Sequence, residues 1–531
     1  MSITVGRYLV DLLVANGITT VFGIPGVHNL ELYRGLSAVN IRHTLVRHEQ
    51  GAGFAADGFA RLSGKPAAAF VISGPGLTNI LTAVAQAYSD SVPLLVVATT
   101  PVRVSLGKRW GVLHELHNQY ALAANVFGVA CAARSAEDVH DHLRTCLASF
   151  RLGRPRPAYL EIPLDLLAEP TELRAARFDD AILWPQAQPT QIDAAVRLLA
   201  RAQRPMIIAG GGARAAGHEL MALVEIVDGL LVTTTAGKGV LADDHPANLG
   251  ASLPYQVTQS LIAEADVILA VGTELAETDI YTSARLAFPG ALIRIDIDPC
   301  KLSDQYAAKV CVWGEARSSL QAINRGLKPR SGWRALMGGA ADIRTSIESG
   351  FDSNTCTMLR ALRAIRAALP ADGVVFSDMT QIAYLGSYAF ATDAPGLWFY
   401  PAGYGTLGFA LPAALGAKIS SPSRAVIALA GDFGVQFTLG ELMTAIEAGL
   451  SLPVIIWNNS ALGQIRDDMA AAHIPAIGVI ARNPDFLALA RACGSAAVRA
   501  RDAQSLTQAI RAALEYAGPT VIEVVSSDFL Q

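Results

Sequence analysis

The sequence predicts an α/β protein built from three doubly wound parallel-sheet domains, on three observations. Short, wholly apolar runs recur along the chain, and stretches of helical spacing separate them. At 531 residues the chain is too long for one core. Two proline-bearing connectors divide it into blocks of similar texture. Strands that alternate with helices in every block call for parallel sheets throughout.

The expected domains are residues 1–165, 190–326 and 352–531. In the first, Val5 to Asn16 has helical spacing, and Ala67–Ile72, Leu94–Ala98 and Ala158–Ile162 are apolar enough for buried strands. A linker from Leu166 to Thr190 holds Pro170, Pro185 and Pro189. The second domain has strand-like runs at Met206–Ala209, Leu231–Thr233, Val267–Val271 and Ala291–Ile297. A connector from Leu327 to Phe351 carries Pro329, Ser331 and Gly332. The third has runs at Gly373–Phe376, Val426–Leu429 and Pro453–Ile456, with a helix expected from Thr438 to Leu450.

Composition narrows the function classes. Apolar residues make up 52% and charged residues 17%, a balance that suits buried sheet and large subunit interfaces. A net charge of −4 spread over this length argues against nucleic acid. No apolar stretch approaches the roughly 20 residues of a membrane span. The start, Met1 to Arg7, has no basic region leading into a long apolar run. The six cysteines lack CxxC spacing and are expected to be core residues of a reduced, cytoplasmic protein.

The most informative motif lies in the third domain. Gly431-Asp432-Phe433-Gly434 follows one apolar run, and Asn458-Asn459 ends the next. A strand–helix–strand unit places Asp432 beside Asn459 at the carboxyl edge of the sheet, where open α/β folds bind ligands. A carboxylate and an amide oxygen make half an oxygen shell for Mg2+, which takes its remaining ligands from phosphates and water. Gly431 and Gly434 let backbone N–H groups close on those phosphates.

A second candidate is Glu49. Arg47-His48-Glu49-Gln50 leads into the small, apolar, helix-like run from Gly51 to Arg61. The helix dipole favours an anion at that opening.

Both motifs resemble those of thiamine diphosphate enzymes acting on 2-oxo acids, the acetolactate synthase and benzoylformate decarboxylase group. The resemblance covers nearly the whole chain, including Gly23-Ile24-Pro25-Gly26, Ser73 to Asn79 and Ile295 to Pro299. It implies that the three domains are, in order, pyrimidine-binding, middle and diphosphate-binding. One departure is Phe433, which replaces the usual middle glycine of the diphosphate motif.

The resemblance further implies residue roles. Glu49 would hold the aminopyrimidine ring, helping the coenzyme to remove its own thiazolium C2 proton. Leu407 would be the apolar wedge that bends the coenzyme, with the Gly405 carbonyl receiving the aminopyrimidine. Pro25, Gly26, Thr78 and Asn79 would line the pyrimidine side. Thr380, Gln381, Gly431, Phe433 and Gly434 would approach the diphosphate, and Asp432, Asn459 and Ala461 would hold the metal. Pyruvate decarboxylases carry a glutamate six places after the second motif asparagine. Here that position is Ile465, apolar as in acetolactate synthases. Polar candidates for chemistry on the substrate are His28 and the run His114-Glu115-Leu116-His117-Asn118-Gln119.

The resemblance is nearest to the 2-ketoarginine decarboxylases, which convert 5-guanidino-2-oxopentanoate to 4-guanidinobutanal. A guanidinium substrate requires carboxylates, and Glu115, Asp467 and Asp468 are the candidates. The alternatives are acetolactate synthase-type joining of two 2-oxo acids and a non-catalytic binding subunit. Gly272 to Asp279 stands where acetolactate synthases bind FAD, which makes FAD doubtful; Gly210-Gly211-Gly212 is a weak nucleotide signal. A homodimer is the implied minimum and a homotetramer the expected assembly, with Glu49 and Asp432 of one working site on different chains.

Overall fold

The structure, a computed structural model, describes residues 2–178, 184–281, 285–336, 339–480 and 482–530. The expected linker and connector contain residues 179–183 and 337–338, outside the described residues.

Three parallel sheets form. The first holds β1 (Thr20–Gly23), β2 (Arg42–Leu45), β3 (Ala67–Val71), β4 (Leu94–Thr100), β5 (Val129–Ala132) and β6 (Ala158–Pro163), in the order β2-β1-β3-β4-β6-β5. The second holds β7 (Pro205–Ala209), β8 (Leu230–Thr233), β9 (Val267–Val271), β10 (Ala291–Asp296) and β11 (Val310–Trp313), in the order β8-β7-β9-β10-β11. The third holds β12 (Val374–Ser377), β13 (Trp398–Phe399), β14 (Val426–Gly431), β15 (Leu452–Asn458), β16 (Ala496–Ala500) and β17 (Pro519–Val525). Its order, β13-β12-β14-β15-β17-β16, repeats that of the first sheet. A two-residue antiparallel pair, Ile3–Thr4 with Pro170–Thr171, ties the start of the chain to the linker.

This order fixes where ligands can sit. The chain reverses direction across each sheet between its first and third strands, and the crevice lies beyond their carboxyl ends. In the first sheet that crevice is bounded by the loops after β1 and β3, which carry Pro25 to His28 and Ser73-Gly74. In the third it is bounded by the loops after β12 and β14, which carry Asp378 to Gln381 and Asp432. Every residue of β3, β4, β14 and β15 is buried, as strands covered on both faces require.

Six helices position the crevices: α1 (Glu49–Ser63), α2 (Pro75–Ser89), α3 (Gln381–Ala389), α4 (Ala410–Ser420), α5 (Glu441–Glu447) and α6 (Gly463–Ala471). The first and third domains dock through α1 and α4. A Cβ at Gly58 would strike the Ala413 carbonyl, and one at Gly416 the Ala55 carbonyl. Such contact between backbones explains the small side chains of the Gly51 to Arg61 run. Arg61 is buried there between Asp57 and Asp90.

Some expectations need correction. The helix expected from Thr438 to Leu450 is only Glu441–Glu447. Residues 438–440 form tight turns, with Glu441 N–H donating to the Thr438 carbonyl, and Gly449 at φ +60° ends the run. The cysteines are not all core residues: only Cys146 is buried, and Cys300 is exposed. Among the described residues no helix is long and apolar enough to cross a membrane.

Candidate active site

The diphosphate end is assembled by strand register. Gly431 at the end of β14 lies opposite Trp457 of β15, and the Asp432 N–H donates to the Trp457 carbonyl (3.1 Å). Asp432 and the asparagine pair therefore leave the sheet side by side. Their roles differ. Asn458 is buried and structural: its amide donates to Glu523 Oε1 (2.8 Å), and its oxygen accepts from Ser460 N–H (3.1 Å) and Asn483 Nδ2 (3.0 Å). Asn459 is half-buried and turns its side chain toward Gln381. Its Oδ1 accepts only from the Ala461 N–H (3.2 Å) among the described residues.

Asp432 is buried, and Asn483 donates to its Oδ2 (2.6 Å). Burial pushes the Asp432 carboxyl up from its ordinary value, against the pull of Asn483 and nearby backbone N–H groups. A bound dication would relieve that cost. Phe433 finds room for its ring by remaining half-exposed.

Two glycines make the gathering possible. A Cβ at Gly463 would stand 2.5 Å from Gln381 Oε1 and 2.6 Å from Asn459 Nδ2; one at Gly434 would stand 2.5 Å from Asp378 Oδ2. Thr380 packs against Gly431. Thus Thr380, Gln381, Gly431, Asp432 and Asn459, separated in sequence, meet at one edge. Among the described residues no group of three or more His, Cys, Asp or Glu is placed to hold a metal. The donors here are instead one carboxylate and one amide oxygen beside Ala461, a hard-oxygen set that fits Mg2+ completed by phosphate.

Asp378 is a site residue that sequence reasoning passed over. It follows β12 directly and has no exposed surface. Its carboxylate accepts from Met379 N–H (2.9 Å) and Gly408 N–H (2.9 Å), which fixes the loop bearing Gly405 and Leu407. Its place at a strand end beside the switch point was the available signal. Burial pushes its pKa up to about 6, with those N–H groups pulling the other way. A carboxyl held above its unfolded value near 3.9 binds more protons in the folded state. Its share of stability is therefore complete below about pH 4 and falls as pH rises toward 6. Asp378→Asn should flatten this segment of the stability curve, by about 2–3 kcal/mol across it, as followed by urea unfolding at stepped pH.

The pyrimidine end is built on α1 and α2. His48 is extended and caps α1, its Nδ1 accepting from Gln50 N–H (3.1 Å). Glu49 opens the helix, is 9% exposed, and accepts from Asn79 Nδ2 (2.9 Å). Glu441 on α5, unnoticed in the sequence, accepts from the N–H groups of Arg47 (3.0 Å) and His48 (3.1 Å) and so fixes the approach to Glu49. Helix α2 does the rest. Asn79 holds Glu49, Gln86 accepts from Thr406 Oγ1 (3.0 Å), and Asp90 accepts from Gly403 N–H (2.8 Å). One helix therefore ties Glu49 to the loop of Gly405 and Leu407. Leu407 stands half-buried, close to Gly405 (φ +72°) and Gly408 (φ +82°).

The remaining candidates separate into two groups. His28 Nδ1 and Ser73 Oγ share a short hydrogen bond, and His114 meets the His28 ring edge-on at 4.8 Å. Burial and His114 both hold the His28 pKa below its ordinary value. His114 Nδ1 is buried with no hydrogen-bond partner among the described residues. Gln119 is buried beneath this pair, accepting from Gly74 N–H (3.0 Å) and donating to Tyr159 Oη (2.9 Å). Glu115 and His117, by contrast, are held in their own loop. Glu115 accepts from Arg109 and Gly111 N–H groups (2.9 and 2.8 Å), and exposed His117 faces the Arg109 guanidinium. Pro25 and Thr78 are exposed, with Thr78 Oγ1 turned to the Pro75 carbonyl (3.2 Å), while Gly26 N–H donates to Asn29 Oδ1 (2.8 Å). Ile465 lies exposed on α6.

The middle-sheet crevice differs from the other two. Gly210 and Gly212 donate their N–H groups to the Val271 and Gly272 carbonyls (2.9 and 3.0 Å). Those two backbone donors are spent on the protein itself and are not available to a phosphate.

Comparison with known proteins agrees with this geometry. Models of the thiamine pyrophosphate enzyme N-terminal TPP binding, central and C-terminal TPP binding domains match residues 3–122, 192–323 and 378–524. The chain is 48% identical to the probable 2-ketoarginine decarboxylase AruI of Pseudomonas aeruginosa, covering 98% of this chain and 94% of that one. It is 30% identical to the acetolactate synthase of Arthrospira platensis, over 97% and 93% of the two chains. It is 29% identical to the acetolactate synthase isozyme 3 large subunit of Escherichia coli, over 96% and 91%. With both coenzyme-binding crevices formed and all three domains matched in order, the chain belongs to the thiamine pyrophosphate enzyme family.

Proposed function

We propose that this chain is a thiamine diphosphate- and Mg2+-dependent decarboxylase that turns a 2-oxo acid into an aldehyde and carbon dioxide. Its substrate is 5-guanidino-2-oxopentanoate, the acid of arginine breakdown, and its product is 4-guanidinobutanal. The observation that carries this reading is the near full-length likeness to the Pseudomonas decarboxylase.

The bound coenzyme supplies an electron sink for the electrons left when carbon dioxide departs. The chain's own residues do the rest. Asp432 and Asn459, with Ala461, would hold Mg2+, and Thr380, Gln381, Gly431, Phe433 and Gly434 would surround the diphosphate. Glu49, steadied by Asn79, holds a proton against the aminopyrimidine, and Leu407 with Gly405 sets the bend. The reaction consumes one proton, and His28 with His114 would supply it.

A homodimer at least, and a homotetramer by family architecture, would complete the site. Large apolar side chains exposed around the crevices support that assembly, among them Val27 (66%), Trp110 (61%) and Phe437 (58%). A cytoplasmic location suits the free cysteines.

The acetolactate synthases among the relatives favour a second reading, in which two 2-oxo acids are joined. Products separate the two. Incubation with 5-guanidino-2-oxopentanoate, thiamine diphosphate and Mg2+ should release carbon dioxide and aldehyde one to one. An acyloin-type product would establish the second reading. Bound coenzyme with no turnover across a panel of 2-oxo acids would mark a non-catalytic binding protein.

A further inference from the structure

A flat guanidinium needs a carboxylate with free lone pairs and, at best, an aromatic face to lie on. Three carboxylates near the site were candidates, and the structure separates them by their existing commitments. Glu115 spends both oxygens on N–H groups of its own loop. Asp467 accepts from Gln381 Nε2 (2.8 Å) with one oxygen and from Arg466 Nη2 (2.9 Å) with the other, so its charge is already answered. Asp468 accepts only from Gln464 Nε2 (3.0 Å), through Oδ1; among the described residues its Oδ2 makes no hydrogen bond, and the residue is exposed.

Asp468 also lies on the helix that borders the site. Helix α6 begins at Gly463, in contact with Gln381 and Asn459 at the diphosphate end. Asp468 lies five residues on, about 7.5 Å along the helix axis. The Gln381–Asp467 bond sets α6 against α3, and Tyr384 follows Gln381 by three residues on the same face of α3. The Tyr384 ring lies 6.2 Å from that of Tyr281 and 5.9 Å edge-on from that of Tyr400, and the Tyr281 and Tyr400 hydroxyls bond at 2.9 Å. Tyr281, from the middle domain, exposes half of its surface. Burial pushes the Tyr384 hydroxyl up to about 12, with smaller contributions from Tyr281, then Asp378, then Asp468.

Resting on the guanidino-acid reading above, we propose that Asp468 is the specificity-determining carboxylate. It grips the substrate guanidinium at the mouth of the site, where the rings of Tyr384 and Tyr281 cover the cation's flat face. The guanidinium fork takes the unused Oδ2 and the open lone pairs of Oδ1. The tyrosine faces add a smaller attraction for the cation.

The test is steady-state decarboxylation by the holoenzyme, with thiamine diphosphate and Mg2+ supplied. The substrates are 5-guanidino-2-oxopentanoate and 2-oxohexanoate, whose side chain carries no charge. The readout is the ratio of their kcat/KM values. Asp468→Asn should lower that ratio about fivefold, chiefly by raising KM for the guanidino acid. Asp468→Glu should recover part of it, and Tyr384→Leu should lower it about threefold. A ratio unchanged in Asp468→Asn, or equal loss on both substrates, overturns the assignment while leaving the decarboxylase reading intact. A parent enzyme that does not prefer the guanidino acid overturns the substrate reading itself, before any variant is made.

Discussion

Glu49→Gln should slow exchange of the thiazolium C2 hydrogen of bound coenzyme by about 10²–10⁴-fold while leaving coenzyme affinity nearly unchanged. Glutamine preserves the size of the side chain and an oxygen for Asn79 to reach, so the local structure should hold. What it loses is the ability to give and take a proton. Glu49 is 9% exposed and lies at the start of α1, its approach fixed by Glu441. Exchange followed by NMR after deuterium dilution is the direct measurement. An exchange rate equal to that of the parent would remove Glu49 from the proposed role.

Asp432→Ala should weaken Mg2+ and thiamine diphosphate together, because the metal is the proposed bridge between protein and diphosphate. Loss of a second-shell partner of a metal costs about 10–100-fold in affinity, and loss of a ligand should cost at least that. The substitution also frees Asn483, whose amide donates to Asp432 Oδ2 and to Asn458. Asp432→Asn is the milder companion, keeping an oxygen near that place without the charge. Calorimetric titration with the coenzyme at fixed Mg2+ reads the effect. Equal affinity in variant and parent would contradict the metal assignment.

The strands that sequence patterning found are those buried on both faces, such as Val267–Val271 and Val426–Leu429. It also passed over two buried strands, Thr20–Gly23 and Pro519–Val525, and other missed strands have less to show. Arg42–Leu45 lies at a sheet edge and is polar and partly exposed, and Trp398–Phe399 is two residues long. The helix read from Thr438 to Leu450 is shorter because the turns over residues 438–440 and Gly449 at φ +60° bound it, and apolar spacing reports neither. In the site, Asp432 and Asn459 were legible because each ends a strand, and strand ends meet in space. Asp378 also ends a strand, but its partners are backbone N–H groups at Gly408, brought to it only by the fold. Glu441 and Asn483 were illegible for the same reason: each acts on residues far away in sequence. The unused Oδ2 of Asp468 could not be separated from the committed oxygens of Asp467 until α6 was set against α3.

The most direct measurement is a crystal structure of the assembled protein with thiamine diphosphate and Mg2+. The expected map shows the ion on Asp432 and Asn459 with two diphosphate oxygens, and Glu49 of a neighbouring subunit within hydrogen-bond reach, about 3 Å, of the aminopyrimidine. Coenzyme absent from the crevice beyond β12 and β14, or Glu49 directed away from it, would contradict the proposed chemistry.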